Sequence, residues 1–149
     1  VRITERIMRT DPPTAEETTK ARVLIDEKIA DATSTIPFAK AQTFVGCAGT
    51  FTTLSALAQG LDSYDPERIH MSEIPFDRLR EVTADLRGKT AEQRRENPVV
   101  HPGRADVIGS GSTVVEQLMD AFEREAGATS FIISEKDILD GIVSGLAER

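Results

Sequence analysis

At 149 residues the chain is long enough for one domain with a sizeable core, and 39% hydrophobic with 29% charged residues excludes the disordered, fibrous and membrane-embedded classes. Its 25 acids against 18 bases, a net charge of −7, argue against nucleic acid or any polyanion bound over the whole surface, so a polyanion must meet a local patch. Cys47 is the single cysteine and forms no internal disulfide, no apolar run nears the ~20 residues that span a bilayer, and residues 1–6 lack a signal-peptide core, so the expected location is cytoplasmic.

The chain opens abruptly: residues 1–9, apolar and basic, read as the tail of an element that begins upstream. Asp11, Pro12 and Pro13 form a turn, and Thr14 with Glu17 predicts a capping box at the start of a helix running to about residue 35. Ala21, Leu24, Ile25, Lys28, Ile29 and Ala32 follow its buried stripe, and Pro37 closes it.

The next stretch is the most informative. Residues 43–45 read as a short buried strand that runs into Gly46, Cys47, Ala48, Gly49 and Thr50, and a helix follows to residue 59, stopped by Gly60. Two glycines permit close backbone approach, the Thr50 hydroxyl can cap the first turn, and free N–H groups there favour an anion, with phosphate as the natural class. Tight packing is the commoner reason for such glycines, and both readings stay open. Cys47 is expected to be a small core-facing residue rather than a nucleophile, since no His or Asn lies near it in sequence.

A polar segment, 61–70, precedes possible edge-strand or packing residues at Ile69 and 74–76, and 76–86 predicts an amphipathic helix with Leu79, Val82 and Leu86 on one face. Thr90 to Glu96 reads as a short solvated helix with a capping pattern. After the loop framed by Pro98 and Pro102, a long helix is predicted over 105–125, and its Gly109 and Gly111 call for a reason, close packing first and ligand approach second. Residues 129–134 form a buried strand and 135–146 a helix with Ser134 at its cap and acids in its first turn. Two strand-to-helix units imply an α/β layer domain. His70 and His101 have no metal-ligand spacing with Cys47, so no zinc site is expected, and Arg104 reads either as a phosphate ligand or as part of a local charge network with Asp106.

Four ordered blocks then carry a resemblance: Val45 through Leu54, Tyr64 through His70, Arg104 through Ile108, and Ser134 through Gly141. They resemble the exopolyphosphatase and guanosine pentaphosphate phosphohydrolase family, in its actinobacterial branch. The resemblance implies a single α/β domain, 1–149, that is most of the C-terminal lobe of a two-lobe, actin-like (ribonuclease H-like) phosphatase and lacks that lobe's first strands. In the family a phosphate loop, a water-activating glutamate and a second Gly-Gly-Gly-Ser loop come from elsewhere in the protein. No catalytic residue is therefore assigned here.

What the resemblance implies for sites is a phosphate- or nucleotide-binding turn at Gly46, Cys47, Ala48, Gly49 and Thr50, with Arg104 and Ser134 as further cleft candidates. The implied substrate is inorganic polyphosphate or guanosine pentaphosphate, the implied cofactor Mg2+ for the full-length enzyme, and the implied partner the missing N-terminal lobe. A homodimer is left open, and neither nucleic acid nor membrane is expected. The chain alone is expected to be inactive; the alternative is a non-catalytic nucleotide- or alarmone-binding module. Two departures stand out: Met71 replaces a usual glycine, and Glu135-Lys136 replaces Asp-Arg or Asp-Gly after Ser134.

Overall fold

A computed structural model describes residues 2–147. Helix α1 (Arg2–Arg6) leads to α2 (Ala15–Thr33), whose predicted capping box is formed: Thr14 accepts from the Glu17 N–H at 3.1 Å while the Glu17 carboxylate accepts from the Thr14 N–H at 3.0 Å. Ala21, Ile25 and Ile29 bury one face of α2, with Ile25 and Ile29 clustering with Ala121, whereas Lys28 leaves the predicted stripe and pairs with Asp31 at the surface.

After a 3-10 turn at Phe38–Lys40, strand β1 (Val45–Cys47) runs without a gap into α3 (Ala48–Ala58). The strand is not buried along its length as expected. Its residues alternate exposed, buried, exposed, with only Gly46 inside, because β1 is an edge strand with one covered face. Helix α4 (Pro66–Ile69) starts on Asp65, which accepts from the Glu67 and Arg68 N–H groups. The edge residues then form β2 (Glu73–Pro75), directly followed by α5 (Phe76–Gly88), which buries Phe76, Leu79, Val82 and Leu86.

Helix α6 (Ala91–Arg95) has its Thr90 capping box, yet it is not simply solvated, because Arg94 is buried. Helix α7 (Ile108–Ala126) begins three residues later than its periodicity suggests, since Pro102–Arg104 forms a 3-10 turn. Gly127, at φ 64°, ends it in the left-handed conformation that glycine adopts most readily. Strand β3 (Ser130–Ser134) is the centre of a three-stranded sheet, parallel to β1 and antiparallel to β2. Its inward residues, Phe131 and Ile133, join Leu54, Leu79, Ile108, Val115 and Met119 in the main core, where Phe131 meets the rings of Phe51 and Phe76 at 5.1 and 5.0 Å. The α/β expectation therefore holds.

The last helix, α8 (Ile138–Ala147), starts later than expected, and Ser134 is not its cap. The Ser134 hydroxyl closes its own turn with Lys136, while Asp137 accepts from the Leu139 N–H at 2.8 Å and starts the helix.

Candidate functional site

Strands β1 and β3 run parallel with Cys47 opposite Ser134, so both end at one edge of the sheet. The candidate turn lies there. Ala48 takes φ 67°, a conformation costly for a residue with a Cβ, and this turns the chain from strand to helix in a single step. Cys47 is the N-cap of α3 but contributes no capping hydrogen bond, and it is exposed rather than core-facing because the sheet face it occupies is uncovered. The Thr50 hydroxyl is not the cap either. Its side chain packs toward α7, where a Cβ on Gly111 would lie 2.8 Å from Thr50 Oγ1.

The two glycines of the turn have different neighbours. A Cβ at Gly46 would lie 2.7 Å from Cε1 of the Phe51 ring, inside the core, which is a packing reason for glycine. A Cβ at Gly49 would lie 2.6 Å from Nε and 2.7 Å from Nη2 of Arg104. Arg104 is exposed and, among the described residues, has no carboxylate within salt-bridge distance, so the expected local network with Asp106 is not formed. The uncapped start of α3, the start of α7, which also lacks a side-chain cap, and Arg104 meet at a cavity of about 330 Å³. Arg2, Gly49, Thr50, Ser110 and Gly111 also line it. Helix starts supply N–H groups and partial positive charge, and an arginine supplies a planar fork of donors. The arrangement suits an oxyanion.

Ser134 sits at the same sheet edge, with its hydroxyl engaged in its own turn. Beside it, Tyr64 donates to the Glu135 carboxylate at 2.6 Å, and the Glu135 N–H donates to His70 Nδ1 at 3.3 Å. Burial and the Glu135 carboxylate push the Tyr64 phenol above its ordinary range, against Thr52 and Arg104, which pull it down. Tyr64 thus joins the segment before α4 to the end of β3. Met71 takes φ 60°, a conformation that glycine adopts most readily, and donates its N–H to the Ile133 carbonyl at 2.7 Å.

Sequence reasoning missed Arg94. Its guanidinium donates to the carbonyls of Leu86, Ala105 and Lys89 at 2.7, 2.8 and 2.6 Å, and it fills the space beside Gly109. Gly109 and Gly111 are therefore both packing glycines, against Arg94 and Thr50, and Gly111 also borders the cavity.

Comparison with known proteins bears on what this edge does. The model of the Ppx/GppA phosphatase family matches residues 1–145. Exopolyphosphatase 2 of Mycobacterium tuberculosis is 49% identical over 147 residues, 99% of this chain and 46% of that protein. The crystal structure of an exopolyphosphatase-like protein, 37% identical, superposes with a TM-score of 0.94 over 100% of this chain and 48% of its own. The Aquifex aeolicus member of the Ppx/GppA family, 25% identical, gives 0.84 over 99% of this chain and 46% of its own. The chain thus spans about half the length of each of these three relatives.

Proposed function

Because the chain belongs to the Ppx/GppA phosphatase family, we propose that it is most of the C-terminal lobe of a cytoplasmic phosphoanhydride hydrolase that releases phosphate from inorganic polyphosphate or guanosine pentaphosphate. The observation that carries the reading is the placement of Arg104 against Gly49 at the uncapped start of α3. In this reading Gly49 keeps the turn open, the N–H groups of the Cys47 to Thr50 turn face a phosphate oxygen, and Arg104 bridges two such oxygens. Ser134 lies opposite Cys47 at the same edge of the sheet. These groups bind and orient the polyanion and offset charge on the phosphoryl group being transferred, which is the larger part of catalysis in such reactions.

Magnesium, expected for the full-length enzyme, would neutralise phosphate charge. Among the described residues no three of His, Cys, Asp and Glu form a group that could hold a metal ion. The base that activates water is placed outside the chain. Phosphate release assayed side by side tests the division of labour. With magnesium and either substrate, the full-length protein is expected to turn over at ~1–10³ s⁻¹, and the 149-residue chain to release nothing above blank. Tight binding without turnover by the full-length protein would replace the hydrolase with a nucleotide- or alarmone-binding module. Turnover by the chain alone would locate the whole site here.

A further inference from the structure

Helix α8 has no buried residue. Ile138, Leu139, Ile142, Val143 and Leu146 are between 53% and 76% exposed, and at about 100° per residue they fall within roughly 140° of arc. Gly145 borders this face on the Ile138 side, and a Cβ on it would meet no atom within 4 Å. Asp140 and Ser144 lie on the opposite side, where Asp140 pairs with Lys136. A ten-residue helix with this pattern is marginal in water unless its apolar stripe is covered.

Its own sheet does not cover it, since Val45 on the open face is itself 58% exposed. The exopolyphosphatase-like structure superposes on the whole of this chain, yet the chain accounts for only 48% of it. The helix therefore belongs to an arrangement shared with a protein twice as long. We propose that the apolar face of α8 is the seat of the half of the full-length protein that lies outside this chain, and that Gly145 lets an element of that half approach closely. The contact ties the other half to the Ser134–Asp137 turn, and so to the edge of the sheet where the candidate site lies. It does not depend on which substrate is cleaved.

The test is photocrosslinking in the full-length protein with Leu139→p-benzoylphenylalanine, and Ser144→p-benzoylphenylalanine as the polar-face control. The expected result is an intrachain crosslink from position 139 to a residue outside the present chain, several-fold stronger than from position 144. A crosslink to residues 2–147, a crosslink to a second copy, or none at all would overturn the proposal. If the Leu139 variant does not fold, Val143→p-benzoylphenylalanine on the same face is read by the same criteria.

Discussion

The guanidinium of Arg104 occupies the space that any side chain at Gly49 would need: a Cβ there would lie 2.6 Å from Nε. The obstacle is the far end of a flexible, exposed side chain, so a larger residue can displace it at small cost to the fold. Gly49→Val is therefore expected to leave the melting temperature nearly unchanged, within the ~0.5 kcal/mol typical of surface changes. Phosphate release by the full-length protein should fall by about 10²-fold, because the anion's ligand has been moved. Gly46→Ala should do the reverse. Its added methyl meets the Phe51 ring, which is held edge-on to Phe131, and overpacking of this kind costs about 1–3 kcal/mol. Thermal unfolding and steady-state kinetics on the two variants distinguish them, and equal behaviour would contradict the assignment.

Gly111 combines the two situations. A Cβ would meet Thr50 Oγ1 at 2.8 Å and Cγ2 at 3.1 Å, and Thr50 lies on the helix that begins at the candidate turn. Gly111→Leu is expected to lower stability by about 1–3 kcal/mol and to raise the substrate concentration for half-maximal rate, since the same residue borders the cavity. Loss of stability alone would leave the glycine a packing residue only.

Much of the fold was legible because its determinants are local. The Thr14/Glu17 box, the apolar face of α5 and the glycine stop at Gly60 all lie within a few residues of what they specify. What stayed hidden depends on how segments pack together or on the exact geometry of a turn. Burial of Arg94 is decided by three carbonyls from other segments, and the exposure of Val45 and Cys47 by which strands and helices flank β1. Ser134 looked like a cap because it precedes two acids; Asp137 is the cap because the Ser134 hydroxyl is already satisfied within its turn. The candidate turn itself could be read from Gly46, Gly49 and Thr50, but its contact with Arg104 could not, since no local pattern joins them.

Arg94 should matter for folding. Burial pushes its pKa down while Asp11 and Asp106 hold it up, and its guanidinium donates to three carbonyls. Arg94→Met strands those carbonyls, and buried groups left unsatisfied cost ~1–3 kcal/mol each. The urea midpoint is expected to fall by the equivalent of at least about 3 kcal/mol, and Arg94→Lys should recover little, because an ammonium cannot match a fixed fork. A midpoint unchanged by Arg94→Met would show the network to be dispensable.

Acid should loosen the joint between α1 and α2. The Thr10 hydroxyl, then the Thr14 N–H, hold the Glu17 carboxyl at about 2, below its ordinary 4.5, against slight desolvation. The folded state resists protonation that the unfolded state accepts. The stabilisation is thus present above pH 4.5 and is lost as pH falls from there toward 2. Melting temperature measured across that window should fall less steeply for Glu17→Gln than for the unaltered chain. Parallel profiles would show that the carboxylate contributes nothing through its charge.

Arg104 provides the sharpest test of the site, because it combines exposure, no carboxylate partner among the described residues, and contact with the candidate turn. A charged hydrogen bond contributes ~1.5–3 kcal/mol, which is roughly a 10- to 150-fold change in affinity. Arg104→Ala in the full-length protein is expected to weaken tripolyphosphate binding by that factor, with the melting temperature little changed. Arg104→Lys should restore charge but not the two-point fork, and so should lie between the two. The salt dependence separates the contributions: it should flatten in Arg104→Ala and persist in Arg104→Lys. If both variants bind as the unaltered protein does, the arginine is only the lid over Gly49, and the phosphate must be held without it.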